Sequence, residues 1–185
     1  MNTRPKIIAI DFDGTCVTHE YPWIGREIGA VPVLKRLVAA GHKLILYTMR
    51  SNEKLHLAEM WFKDRCIPLY GVNTNPTQLS WTMSPKAHAE IYIDDAALGC
   101  PLKHNPPERP YVDWGLVELM LQSRGVLPYE VRYRSPHSPN GWVMYQSQDP
   151  IESMCRLLDK IASEGCKPLE QPYRWGVKER GQNPG

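Results

Sequence analysis

A pair of aspartates directly after an apolar run is the feature of this chain with the clearest chemical meaning. Asp11 and Asp13 lie in the pentapeptide Asp-Phe-Asp-Gly-Thr (11–15), which follows the run Ile7–Ile10. Carboxylates a few ångströms apart repel each other unless a cation or a shared proton separates them. The spacing therefore predicts a divalent metal site, and an acidic turn that only caps a strand is the alternative interpretation.

Three further polar elements accompany apolar runs later in the chain. Thr48 follows a second apolar run, the pair Asp94-Asp95 follows a third, and Lys86 precedes that third run. Near-continuous apolar strands are typical of parallel sheets that are covered on both faces. Ligands bind outside the carboxyl ends of such strands. The positions therefore predict that these groups share one edge of a sheet with Asp11 and Asp13.

Short apolar strands that alternate with helical patterns position these groups. The pattern predicts strands over residues 6–10, 43–47, 69–72 and 90–93. It predicts helices over 26–40, 51–66 and 113–124, with Ser51 and Asp113 as N-caps. Pro32 offers a later start for the first helix, because proline is tolerated only in a first turn. The alternation predicts an α/β fold, a three-layer Rossmann-like parallel sheet with right-handed crossovers.

The pattern changes near Gly125. The segments 131–134 and 142–145 flank Asn140-Gly141, which is typical of a β-hairpin. Residues 149–152 then supply a cap, a proline and an acid, and they predict a helix to about Ser163. We therefore predict a core domain over 1–125 and a hairpin-plus-helix extension over 126–185. The extension could cover the site, form a dimer interface, hold a partner, or simply pack on the core.

Composition limits the class of partner. The chain has 185 residues, 42% of them hydrophobic and 23% charged, with a net charge of +2 and no basic stripe of the kind that nucleic-acid binding favours. No apolar stretch approaches about 18 residues, and the N-terminus lacks a secretory pattern, so we expect a cytoplasmic protein without membrane contact.

The five cysteines show no C-x-x-C spacing, which argues against a disulfide framework and a zinc site. We expect Cys16 at the mouth of the acidic site, open to oxidation.

These elements, in this order, resemble the motifs of the haloacid-dehalogenase-like phosphohydrolase superfamily. The pentapeptide 11–15 matches the first motif in full, Thr48 the second, Lys86 the third and Asp94-Asp95 the fourth. The resemblance covers roughly residues 5–124, and its first and fourth motifs are the specific ones. Members of this superfamily carry cap domains in two intervals, and neither interval of this chain is long enough for one. The chain therefore resembles the capless, small bacterial and phage members.

The resemblance implies a magnesium-dependent phosphomonoesterase. Asp11 would attack phosphorus and form an aspartyl-phosphate, which splits a very slow hydrolysis into two easier steps. Asp13 would protonate the leaving alkoxide and later deprotonate the attacking water. Thr48 would orient one phosphoryl oxygen, and Lys86 would neutralise charge on the others.

The resemblance also implies which residues hold the metal. Mg²⁺, a hard cation that prefers oxygen ligands, suits a site of three or four carboxylates. Asp11 and the main-chain carbonyl of Asp13 would coordinate it. Asp94 or Asp95 would complete the shell, directly or through water.

Several neighbouring residues are expected to shape the substrate site. Gly14 lets the backbone turn tightly beneath the phosphate, and Thr15 completes the same loop. Arg50 could reach a second anionic group of the substrate, and an ion pair on the next helix is its alternative role. For His19 and Trp23 we favour surface packing over substrate contact.

Other functions share parts of this pattern. A phosphotransferase or a nucleic-acid end phosphatase would use the same scaffold, and a non-catalytic phosphate-binding module would keep the site without turnover. A two-component receiver is disfavoured because its acceptor aspartate and acidic pair occur in the reverse order. We expect a phosphorylated substrate, a small molecule rather than nucleic acid. An open site without a cap suggests a bulky substrate or closure by a second subunit of a homo-oligomer.

Overall fold

A computed structural model describes residues 4–134, the strand 142–147 and, beyond these, only Asp159 and Ser163. The chain divides into two units after Pro128. In chain order the elements of the first unit are β1 (Ile7–Ile10), α1 (Ala30–Ala39), β2 (Lys43–Leu46), α2 (Asn52–Asp64), β3 (Gly71–Val72), a short 3₁₀ helix (Gln78–Ser80), β4 (Ile91–Ile93), β5 (Leu102–Lys103), β6 (Tyr111–Val112) and α3 (Trp114–Ser123). No helix among the described residues is long and apolar enough to cross a membrane.

Four of these strands form one parallel sheet in the order β3-β2-β1-β4. The central strand β1 pairs with β2 on one side and β4 on the other, so that Ile8 lies opposite both Leu44 and Ile91. The side chains of Ile8, Ala9 and Ile10 are buried, as the near-continuous apolar pattern predicts. The prediction of a parallel α/β sheet is therefore confirmed.

The first helix begins later than the predicted Arg26. The Thr18 N–H donates to the Arg26 carbonyl (2.9 Å), and the Arg26 N–H donates to the Thr18 hydroxyl (2.9 Å). Glu27 forms an antiparallel bridge with Val17. These pairs with the preceding loop hold the segment extended, and α1 begins only after Gly29, which has a φ of 97°. Pro32 then lies in the first turn, where a proline is tolerated.

The other two helices differ in how they begin. The side chain of Asp113 accepts hydrogen bonds from the N–H groups of Gly115 and Leu116, so the predicted cap of α3 is confirmed. Ser51 occupies the N-cap position of α2, but its side chain makes no capping hydrogen bond. Burial of Trp61 and Phe62 against Phe12 holds α2 on the core instead, with ring centroids 5.6 and 6.2 Å from that of Phe12.

The proline-rich segment after β4, for which the sequence pattern predicted neither a strand nor a helix, contains the antiparallel strands β5 and β6. The Val112 N–H of β6 donates to the Gly14 carbonyl (2.8 Å). This small ribbon therefore supports the loop that carries the acidic motif. Its strands are too short for a periodic pattern to indicate them in the sequence.

The second unit begins with β7 (Tyr129–Arg134), which pairs antiparallel with β8 (Trp142–Ser147). The register places Arg134 opposite Trp142. The predicted turn at Asn140-Gly141 lies outside the described residues. The predicted helix after Asp149 also lies outside them, apart from two isolated positions.

Candidate metal and phosphate site

Three carboxylates meet where the strand order of the sheet reverses. Asp11 follows β1, and Asp94 and Asp95 follow the adjacent parallel strand β4. One oxygen of each lies within 4.8 Å of the others. Crevices at such a reversal are where open α/β sheets bind ligands. The sequence prediction that these three side chains share one edge is therefore correct in its geometry.

Thr15 ties the two acidic loops together. Its hydroxyl donates to Asp11 Oδ2 (3.1 Å) and accepts from the Asp95 N–H (3.1 Å). The indole N–H of Trp114 donates to the Thr15 carbonyl (2.6 Å). Thr15 is fully buried. It was predicted to bind substrate, but in the structure it positions Asp11 relative to Asp95.

Gly14 makes the tight turn of this loop with a φ of 78°. A Cβ at this position would lie 2.2 Å from His19 Nε2 and 2.7 Å from Asp95 Oδ2. Its N–H donates to the Val17 carbonyl (2.7 Å). The residue must therefore be glycine for two reasons, its left-handed backbone and the side chains that cross over it.

The substitution Gly14→Ala is expected to lower the free energy of unfolding by about 2–3 kcal/mol and to weaken metal binding, because the new methyl group displaces His19 and Asp95. Gly41→Ala is the matched control: Gly41 has a φ of 85°, but nothing lies within 4 Å of its Cβ position. It should cost only backbone strain, about 1 kcal/mol. Urea unfolding and metal titration of both variants measure the difference. Equal losses in the two variants would contradict the close packing at Gly14.

His19 is a partner of the acidic site that the sequence did not reveal. Its Nε2 lies 2.9 Å from Asp95 Oδ2, and both side chains are only partly exposed. Asp94 is held differently, because its Oδ1 accepts from the Ala96 N–H (2.8 Å). The prediction that His19 merely packs on the surface is wrong, since it holds one of the three carboxylates. Only its position in the loop after the pentapeptide, close in sequence, could have suggested this.

Asp13 does not join the carboxylate cluster with its side chain. Its carboxylate forms an ion pair with Arg50 instead, in which Nε donates to Oδ2 (2.6 Å) and Nη2 donates to Oδ1 (2.7 Å). This two-point geometry is the strong form of a guanidinium–carboxylate pair. The predicted coordination of a metal by the Asp13 main-chain carbonyl stays a prediction.

Arg50 was predicted to reach a substrate anion or to pair with the next helix. Its side chain is 1% exposed. Besides Asp13 it donates to the carbonyls of Trp23 (2.7 Å), Pro22 (3.3 Å) and Lys54 (3.5 Å). Acceptors thus surround the guanidinium, and its partner is Asp13 rather than an acid of α2. In the structure Arg50 positions Asp13 and the loop at Pro22 and Trp23.

Thr48 lies at the same edge, after β2, and is buried. Its N–H donates to Asn73 Oδ1 (2.7 Å), and its hydroxyl accepts from the Arg50 N–H (3.3 Å). Asn73 follows β3 and has a φ of 52°. Asn73 is a supporting residue that the sequence did not identify, although asparagine tolerates this backbone conformation better than most residues.

Lys86 is exposed, and its ammonium lies 5.4 Å from the ring centroid of Tyr92. It forms no ion pair with any carboxylate of residues 4–134. The Tyr92 ring in turn lies 6.2 Å from that of Tyr47, the residue before Thr48. The phosphate-binding role of Lys86 stays a prediction.

Cys16 is buried, contrary to its predicted place at the mouth of the site. Its thiol donates to the Asp11 carbonyl (3.3 Å). Burial, and then the negative charges of Asp11 and Asp13, raise the pKa of this thiol well above its usual value. A buried thiol that stays protonated is inert to oxidants, so the expected oxidation at this position is wrong.

His19 contacts Asp95, but no Lys or Arg among residues 4–134 forms an ion pair with any of the three carboxylates. Burial above all, together with the negative charges of Asp94 and Asp95, raises the pKa of Asp11 from 3.8 to about 7, although hydrogen bonds from Phe12 and Thr15 act to lower it. A hard divalent cation bound by these oxygen donors would favour the ionised form of Asp11, which burial and its acidic neighbours disfavour. The donor set therefore suits Mg²⁺, with Asp11, Asp94 and Asp95 as the residues that would hold it.

The raised pKa of Asp11 makes the stability of the chelated protein depend on pH. The folded state keeps a proton on Asp11 that the unfolded state has lost above its usual pKa of 3.8. This contribution is complete below about pH 4 and is lost as the pH rises through about 7. We expect Asp11→Asn to flatten this loss and to stabilise the chelated protein at pH 8 by on the order of 1–2 kcal/mol. Urea unfolding in chelator between pH 5 and 8 measures it, and parallel profiles for both proteins would contradict it.

The sheet and the acids at its carboxyl edge define an α/β protein with a Rossmann-like parallel sheet. No protein-family model and no curated protein matches the chain. Among solved structures, a conserved protein from Bacteroides thetaiotaomicron is 36% identical, with a TM-score of 0.53. The match covers 65% of this chain and 92% of that protein. The chain therefore belongs to the same family as this conserved protein.

Proposed function

We propose that the protein is a magnesium-dependent phosphomonoesterase of the haloacid-dehalogenase-like type. The observation that carries the proposal is the meeting of Asp11 with Asp94 and Asp95 within 4.8 Å, where the strand order reverses. A receiver-like or purely structural acidic turn would not require the intact pentapeptide together with an acidic pair after the adjacent strand. Thr15, which links the two loops, supports the same conclusion.

Mg²⁺, when bound by these carboxylates, would neutralise charge on the phosphoryl group and favour the ionised form of Asp11. The remaining chemistry belongs to the chain's own residues. Asp11 Oδ1 or Oδ2 attacks phosphorus, the bond to the leaving oxygen breaks, and the phosphoryl group is then passed to water. The backbone of Thr48 is held by Asn73, and its hydroxyl accepts from the Arg50 N–H and orients a phosphoryl oxygen.

Asp13 handles the protons in this scheme. Its carboxylate accepts two hydrogen bonds from Arg50, which fixes its direction within the site. In this state it is an acceptor, ready to take a proton from the attacking water. The proton for the leaving group can arrive with the substrate, because a phosphate monoester has a second pKa near 6.

No inserted domain covers the site among the described residues, which is consistent with a substrate that enters directly from solvent. The loop between β1 and α1 and the segment between β2 and β4 contain no inserted domain in the described structure. We propose, as the sequence suggested, that the open site takes a bulky phosphorylated substrate or is closed by a second subunit.

The test is phosphate release from a panel of phosphomonoesters, with Mg²⁺ and with chelator. The panel contains sugar phosphates, nucleotides and phosphorylated oligonucleotides. Release that depends on Mg²⁺ is the expected result. Release that persists in chelator would contradict the metal site, and no release from any ester would favour a phosphate-binding module or a phosphotransferase with a special acceptor.

A further inference from the structure

Large apolar side chains are exposed on the loops that surround the acidic site. Tyr21 and Trp23, on the loop after β1, are 63% and 71% exposed. Met49 directly follows Thr48, and Leu98 follows the acidic pair; both are almost fully exposed. Large apolar residues that are exposed together at the rim of a site commonly mark a binding surface.

Hydrogen bonds hold the backbone of the loop that carries the two aromatic residues. Arg50 Nη2 donates to both Asp13 Oδ1 and the Trp23 carbonyl at 2.7 Å, which makes these two oxygens close neighbours. The Trp23 N–H donates to the Glu20 carbonyl (2.8 Å). The backbone of this aromatic loop is therefore fixed to the same buried guanidinium that fixes Asp13.

Cations accompany both exposed rings. The guanidinium carbon of Arg50 lies 5.3 Å from the Tyr21 ring centroid, and Lys54 Nζ lies 5.7 Å from that of Trp23. Each cation stabilises the orientation of its ring. The rings remain open to solvent, so a flat group of a ligand can stack on them.

We propose that the substrates are nucleoside monophosphates whose base stacks on Trp23 and Tyr21. This inference rests on the proposed phosphatase function, in which Asp13 lies beside the attacking water. Because both displacements at phosphorus are in line, the water enters on the side from which the leaving group departs, so Asp13 also lies on the leaving-group side. The aromatic loop next to Asp13 then faces the same leaving group. Stacking on an exposed aromatic side chain strengthens binding and tolerates any base, because every base has a π face. The bonds broken and formed are those of the hydrolysis above, with the nucleoside as the alcohol released.

A nucleoside fits this geometry better than a ring bonded directly to the phosphate. The Trp23 carbonyl, not the indole, lies beside Asp13. The Trp23 ring therefore lies one side chain away from the carbonyl that neighbours Asp13. A ligand ring can stack on it only if a spacer such as ribose separates that ring from the reacting phosphate. An aryl phosphate has no such spacer.

The test compares adenosine 5′-monophosphate, ribose 5-phosphate and phosphotyrosine as substrates of the full chain with Mg²⁺. Trp23→Ala should lower the ratio of kcat/KM for the nucleotide to that for ribose 5-phosphate by about tenfold, mainly through KM, and Trp23→Phe should restore most of it. The matched control is Trp81→Ala. Trp81 is 64% exposed but lines a cleft with Ile7 and Lys43 at the other edge of the sheet, and its loss should leave the ratio unchanged.

A direct binding measurement separates this inference from the proposed function. Calorimetry with Asp11→Asn, which cannot turn over, should show tighter binding of the nucleotide than of ribose 5-phosphate, and loss of that preference with Trp23→Ala. Phosphate release from all three esters with an unchanged ratio in Trp23→Ala would overturn the inference and leave the phosphatase standing. A preference for phosphotyrosine that depends on Trp23 would also overturn it. Absence of release from every ester would overturn the proposed function, and the inference with it.

Discussion

Replacement of Asp11 by Asn should lower phosphatase turnover by a factor of about 10⁴ or more, because loss of a nucleophile removes the covalent step entirely. The amide has the shape of the carboxylate and can still accept from the Thr15 hydroxyl. The fold should therefore survive, and the chelated variant should be more stable than the wild type near pH 8, as argued from the raised pKa of Asp11. Phosphate release and urea unfolding on the same preparations measure the two effects.

The matched control for this variant is Asp113→Asn. Asp113 caps α3, where asparagine serves equally well as an N-cap acceptor. It makes the same chemical change on a side chain whose partners are Gly115, Leu116 and Lys103 rather than any group of the acidic site, and turnover should remain within about twofold of the wild type. Activity of Asp11→Asn that approaches the wild-type level would rule out an aspartyl-phosphate on this residue.

Replacement of Arg50 should have the second largest effect, and it should act on both stability and turnover. Arg50→Ala leaves Asp13 without its partner and deprives the carbonyls of Pro22 and Trp23 of their donor. Removal of one member of a buried charge pair typically costs about 3–5 kcal/mol. Because Asp13 is partly exposed, we expect a loss of about 3 kcal/mol in the free energy of unfolding. Turnover should fall by about 100-fold or more, because Asp13 loses its fixed direction.

Arg50→Lys tests whether the two-point geometry matters. Lysine keeps the charge but not the planar fork, so it cannot reproduce the paired bonds to Asp13. A double-mutant cycle with Asp13→Asn should give a coupling energy of about 1–3 kcal/mol. The pair between Arg26 and Glu108 is the control, since Arg26 Nη2 lies 3.0 Å from both carboxylate oxygens but the pair is exposed. Arg26→Lys should cost about 0.5 kcal/mol or less, and equal costs at the two arginines would contradict the role of Arg50.

The parts of the site that the sequence predicted are those that a parallel sheet imposes. Asp11 and Asp94 follow apolar runs that read as buried strands, and parallel strands of one sheet bring their carboxyl ends to one edge. Nothing beyond the order and spacing of the residues was needed to place these acids together. The same reasoning placed Thr48 at that edge.

The parts that the sequence did not predict depend on contacts between distant segments. Arg50 follows Thr48 closely, but no pattern in the sequence shows that its long side chain turns towards Asp13 rather than towards α2. The late start of α1 depends on the pairing of Arg26 with Thr18, which overrides local helix propensity. His19 was set aside for a similar reason, because its partner Asp95 is distant in sequence.

The central claim is that Asp11 carries the phosphoryl group during turnover. The most direct test is a single-turnover experiment. The protein, with Mg²⁺, is mixed in excess over a reactive phosphate donor such as p-nitrophenyl phosphate. The reaction is quenched in acid within the first turnover, and the peptides are analysed by mass spectrometry. The account predicts that the peptide containing residues 11–15 gains one phosphoryl group, which chelator abolishes and Asp11→Asn does not form. Rapid phosphate release with no phosphorylated peptide at any time, or with the group on another residue, would contradict it.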